Sequence, residues 1–187
     1  DLKGSSVFAD IACDTAGIYA CLDATRGKVF CYSDDGYLLY VFGALGGGDG
    51  MFKAPAAVTF HGDNAVVLDK ERASVTVFQP TRYAALIREA AGLQRELEFD
   101  KAAEKWNDVL RLNENFELAH IAIGKIAMNA GDNAAAMENF LKGNSKSLYS
   151  KALEGYRTQW IYRNLIWVLA AAAGLALLLA ARAVWVR

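Results

Sequence analysis

The sequence predicts a multi-domain chain, β-strands first and α-helices after, ending in one transmembrane helix. Three observations carry that expectation. Residues 1–80 repeat a strand pattern at an offset of 46, residues 81–145 repeat a helical pattern at a period of 34, and Leu165–Ala181 (LIWVLAAAAGLALLLAA) runs seventeen residues without a charge or a strong hydrogen-bonding side chain. The predicted domains are 1–80 (two β-repeats), 81–145 (two helical repeats), 146–164 (a capping and linking helix) and 165–187 (the transmembrane helix).

In residues 1–80, short runs rich in Val, Ile, Tyr and Phe alternate with turn residues, as strands and their connections do. Laying Leu22-Asp23 on Leu68-Asp69 brings Val29, Cys31 and Tyr32 onto Val75, Val77 and Phe78. The first copy predicts strands at Ile11–Cys13, Ile18–Leu22, Lys28–Tyr32 and Tyr37–Phe42; the second predicts them at Ala57–Phe60, Ala65–Leu68 and Ser74–Phe78. A four-strand unit recurring every 40–50 residues or so is the mark of a β-propeller blade, so a partial propeller of two blades is expected. Two blades leave open sheet edges, which calls for either more of the same chain or another polypeptide to complete the ring. GALGGGDG lacks the spacing of a phosphate-binding loop and no Lys-Ser/Thr follows it, so it reads as a connection between blades.

Pro80-Thr81 ends the strand pattern, and apolar residues then recur at helical spacing. Helices are predicted at Tyr83–Leu97, Lys101–Leu112, Phe116–Asn129, Asn133–Gly143 and Leu148–Trp160. The period of 34 places Ala102 on Ala136, Trp106 on Phe140 and Ala90 on Gly124, which resembles the tetratricopeptide pattern of small residues and an aromatic at fixed positions. Stacked helical hairpins of that kind expose a concave protein-binding groove, and on this phase Ile87, Gln94, Arg95, Ile121, Lys125 and Asn129 are its candidate lining. Trp106 reads as core, because Phe140 stands at its place in the second repeat.

The final apolar run, extended to Val186, has the length of about 20 residues that a bilayer-spanning helix needs. Trp160, Arg163, Trp167, Arg182 and Trp185 are the candidate membrane-interface residues: indoles favour that zone, and arginines near a helix end can extend their charge outward. A lipid bilayer is accordingly an expected partner, and a single span in the cell membrane the expected location.

The segments DIACDTAGIYACLDATRGKVFCY, DGYLLYVFG and GGGDGMFKAPAAVTF resemble NHL-type propeller repeats; Ala9-Asp10 stands where the first copy would carry proline. With VLRLNENFELAHIAIGK and YSKALEGYR, the chain as a whole resembles a family of Gram-positive membrane proteins encoded beside carbohydrate ABC importers, built from NHL-type repeats, tetratricopeptide repeats and a Yip-type membrane domain. That resemblance implies an extracytoplasmic soluble part and an accessory role beside an importer. Its signal peptide and multi-helix membrane domain have no counterpart in residues 1–187.

For function, composition and motifs exclude more than they assign. The net charge of −1 provides no basic field for nucleic acid. Cys13, Cys21 and Cys31 lack CxxC spacing and a neighbouring histidine, so small thiols are expected and not a zinc site. His61 and His120 read as structural, no Ser sits in a nucleophile elbow, and Asp23 and Asp69 read as turn residues that bond backbone amides. No cofactor and no catalysis are expected. The expected function is a membrane-anchored extracytoplasmic scaffold or accessory subunit that binds other proteins, with transporter subunits or a chain completing the propeller as partners. The alternatives are a lactonase-like or lyase-like propeller enzyme whose site lies in blades outside this chain, and a plain structural stalk.

Overall fold

The computed structural model describes residues 5–185, in which three β-sheets precede six helices. The chain divides between Ile123 and Gly124 into two compact units.

The first unit opens with β1 (Phe8–Cys13), β2 (Tyr19–Asp23), β3 (Lys28–Tyr32) and β4 (Leu38–Phe42), an antiparallel meander in that spatial order. Its tight connections depend on residues that accept positive φ: Gly17 (φ 83°) and Gly36 (φ 81°) close the β1–β2 and β3–β4 turns. A two-residue parallel pair follows, β5 (Ala44–Leu45) with β6 (Met51–Phe52). The third sheet is β7 (Pro55–His61), β8 (Asn64–Asp69) and β9 (Ser74–Phe78), again antiparallel in chain order. The first and third sheets meet through β1 and β7, where Asp10 Oδ2 accepts from the Val58 amide at 2.9 Å.

The expected propeller is corrected here. The described residues form two blade-sized sheets and a short parallel ribbon, with no closed ring. A physical cause stands at the end of β9: Pro80 has no amide to continue a ladder, and Thr81 Oγ1 accepts from the Ala84 amide at 3.3 Å, which turns the chain into a helix where the first sheet has its fourth strand.

That helix is α1 (Arg82–Arg95), and it pairs with α2 (Phe99–Leu112). Ile87, Ala90, Ala102 and Val109 are fully buried between and beneath them. Trp106 is also core: 3 % exposed, it donates its indole N–H to Gln94 Oε1 at 3.1 Å. α3 runs over Glu117–Asn129.

The second unit contains α4 (Asn133–Lys142), α5 (Lys146–Arg163) and α6 (Leu165–Trp185). Asp132 caps α4 by accepting from the Ala135 amide at 3.0 Å. Ala136, Phe140 and Ala152 are fully buried and form its core, with Met137, Leu148 and Tyr149 packed around them. Gly124 lies against the Phe140 ring so closely that an added Cβ would fall 2.7 Å from Cε1.

The transmembrane expectation is corrected as well. The apolar run is helical, but no helix among the described residues is long and apolar enough to cross a membrane. The uncharged run of seventeen residues spans ~26 Å at ~1.5 Å per residue, short of the ~30 Å hydrocarbon layer, before Arg182 interrupts it. Anchoring by a single span, and the cell-membrane location drawn from it, fall with that finding. The bilayer contact then has no spanning helix to carry it. Among the expected interface residues, Trp160 (47 % exposed) and Arg163 stand on α5, and Trp167 (76 % exposed) and Arg182 on α6, all open to solvent; the side chain of Trp185, like Val186 and Arg187, lies outside the described residues.

Candidate functional site: a charged junction beside an aromatic cavity

The first unit holds its three parts together at one guanidinium. Arg88, on the face of α1 that also carries Ala84 and Ile87, is buried. Its Nη1 donates to Asp14 Oδ2 at 2.6 Å and its Nη2 to Asp63 Oδ1 at 2.8 Å. Asp14 directly follows β1 of the first sheet, and Asp63 lies in the β7–β8 turn of the third. Asp14 is used on both sides, since its Oδ1 accepts from the Ile18 amide at 2.9 Å and fixes the β1–β2 turn. The Arg88 guanidinium also lies over the Phe60 ring, 5.9 Å from its centroid. A buried charge persists only when paired and hydrogen-bonded, and Arg88 has both.

Beside this junction is a cavity of about 350 Å³ between the two sheets and the start of α1. Tyr40 and Phe42 of β4, Phe60 of β7, Phe78 of β9 and Tyr83 of α1 supply its aromatic walls, and Asp63 and Arg88 its charged end. Phe42 and Phe78 lie 4.8 Å apart between centroids, so the rings of the two sheets make one continuous wall. Behind it, burial pushes the Cys31 thiol up to about 12, against the opposing effect of a hydrogen bond with the Tyr40 hydroxyl. Burial first, and the neighbouring thiol second, raise Tyr40 as well. Both groups are therefore neutral at ordinary pH, and Cys31 makes a poor nucleophile.

Asp23 and Asp69 each sit fully buried at the end of a second strand. Asp69 accepts from the amides of Lys53, Ala54, Glu71 and Arg72; Asp23 accepts from those of Thr25 and Arg26 and from Arg26 Nη1 at 2.8 Å. Burial acts to raise both carboxyls, and the donated hydrogen bonds outweigh it, leaving both below their ordinary value. All of these partners are donors of the chain's own turns. His120 Nε2 lies 3.0 Å from the Glu114 carbonyl oxygen, another local contact.

The candidate groove residues are placed as follows. In the first unit Ile87 is fully buried and Ile121 is 6 % exposed, so neither offers its side chain to a ligand, while Gln94 is engaged by Trp106. Arg95 is exposed, with Nη1 3.4 Å from the Thr15 carbonyl oxygen. In the second unit Lys125 is half-buried and Asn129 exposed.

Sequence reasoning passed over Arg88, Asp14 and Asp63. A signal was present: Arg88 follows the apolar stripe Ala84, Ile87 at helical spacing, and a cation in a buried stripe requires a carboxylate partner.

A second feature is an asymmetry between the repeats. Leu22, Val29 and Cys31 of the first sheet are fully buried, whereas their counterparts in the third, Leu68, Val75 and Val77, are 40 %, 56 % and 57 % exposed. The first set lies in the sheet that packs against β7 through β1 and β2; the second set is exposed. No protein-family model matches the chain, and no curated protein matches it.

Proposed function

We propose that this chain is a non-catalytic scaffold that binds another protein through the outer face of its β7–β9 sheet. The observation that carries this reading is the exposure of Leu68, Val75 and Val77, at positions whose counterparts in the first sheet are wholly covered. An apolar sheet face of this kind gains stability by burial, at ~25 cal/mol per Å² of area removed from water. Within the unit, the equivalent sheet packs against another β-sheet, so the partner is a protein that presents an apolar sheet face of its own. The resemblance to importer-associated repeat proteins supplies the partners to test first, the subunits of a carbohydrate importer.

Val75→Asp with Val77→Asp tests the reading. Exposed substitutions of this kind shift stability by roughly 0.5 kcal/mol, so the fold survives. Purified importer subunits are expected to bind the wild-type chain and to lose at least tenfold in affinity for the variant, measured by biolayer interferometry. Equal affinity for both would overturn the assignment of this face. Concentration-dependent dimerisation of the wild-type chain, abolished in the variant, would replace the foreign partner by a second copy.

A further inference from the structure

We infer that the cavity between the two sheets binds a small arylalkylammonium ligand, with its ring against Phe42, Phe60 and Phe78 and its ammonium at Asp63. Three observations converge on that chemistry. The cavity, at about 350 Å³, falls within the range of about 300–1,000 Å³ typical of small-molecule sites, at its lower end, which suits a ligand of one ring and a short chain. Five aromatic side chains stand in its walls, and the negative faces of aromatic rings attract an organic cation.

The third observation is charge. The junction at the cavity's end holds two carboxylates, Asp14 and Asp63, against one guanidinium, Arg88, a formal balance of −1. Asp14 is spent: it is fully buried, with one oxygen on Arg88 and the other on the Ile18 amide. Asp63 is not spent, because only its Oδ1 meets Arg88 and its side chain remains 78 % exposed. An anionic ligand would meet this uncompensated carboxylate. A neutral one would leave the charge unused, and an ammonium satisfies it with a charge-assisted hydrogen bond.

The full chain is titrated with 2-phenylethylammonium, 2-phenylethanol and 3-phenylpropionate, followed by isothermal calorimetry and by ligand-to-protein NOEs. The ammonium is expected to bind with Kd at or below about 1 mM, within the ligand efficiency open to so small a molecule. Binding at least tenfold weaker is expected for the alcohol and weaker still for the carboxylate. NOEs from the ligand ring should reach the Phe60 and Phe78 rings. Asp63→Asn keeps an oxygen for Arg88 and sits at an exposed position, so the fold persists while ammonium affinity drops about tenfold, the scale of one charge-assisted contact. Equal binding of the three probes, an unchanged Kd in Asp63→Asn, NOEs to other rings, or no heat up to about 10 mM would each overturn the inference. None of these outcomes bears on the outer face of the β7–β9 sheet.

Discussion

Arg88 Nη1 and Asp14 Oδ2 meet at 2.6 Å across 74 residues of sequence, and both side chains are shielded from water. Removing the cation strands a buried carboxylate. Arg88→Ala should therefore lower unfolding free energy by about 3–5 kcal/mol, read from urea midpoints. Asp63→Ala, at the exposed arm of the same guanidinium, should cost about 1 kcal/mol or less. Similar losses for both would mean that the junction is solvated throughout.

The asymmetry between the sheets predicts unequal costs for the same chemical change. Leu22→Ala removes a fully buried side chain and should cost about 2–5 kcal/mol. Leu68→Ala, at the equivalent exposed position, should stay near the ~0.5 kcal/mol of ordinary surface changes in the isolated chain. Matched denaturation curves for the two variants would remove the basis for an uncovered face.

In the second unit, Ala136 is fully buried beside Phe140 and Ala152. Ala136→Leu adds volume to a core with no room for it, and a loss of roughly 1–3 kcal/mol is expected. An unchanged melting temperature would show that α4 and α5 do not pack through this residue.

Acid sensitivity follows from Asp23 and Asp69. Burial opposes their ionisation, the hydrogen bonds donated to them win, and both carboxyls titrate below the ordinary 3.8 in the folded chain. Their contribution is complete above that value. As pH falls below it, the unfolded chain takes up protons that the folded chain refuses, so stability drops until the folded carboxyls also protonate. Urea midpoints between about pH 5 and pH 2 should fall more steeply for wild type than for Asp69→Asn; parallel profiles would refute this origin.

Thiol chemistry should separate the cysteines. Cys13 is exposed, and Cys31 is buried with its thiol raised to about 12. Iodoacetamide at neutral pH should label Cys13 first and leave Cys31 unmodified until the chain unfolds, as peptide mass spectrometry would record.

Much of the local structure was legible. Asp14 to Gly17 and Ser33 to Gly36 are turns because glycine there accepts positive φ, and the helix predicted from Asn133 begins at that residue. The equivalence of Asp23 and Asp69 was legible too, and the two side chains make the backbone bonds that a turn aspartate offers. Larger features escaped because they depend on partners far apart in sequence. Composition made Leu165–Ala181 look like a span, but the uncharged length falls short. Repeat spacing suggested a ring, yet it says nothing about whether further sheets follow Pro80. The Arg88 junction joins residues 14, 63 and 88, and no local pattern pairs them.

The distance of Arg88 from Asp14 along the chain also orders events during synthesis. A ribosome makes residues 8–78, all three sheets, before α1 emerges. Until then Asp14 has no countercharge, and hiding it would be costly. The nascent sheets therefore stay loosely joined, with Asp14 in water, and lock only when the first helix arrives. A released fragment ending at Pro80, with all three sheets but no α1, should be cut readily by proteases, and one ending at Leu112, which adds α1 and α2, should be protected.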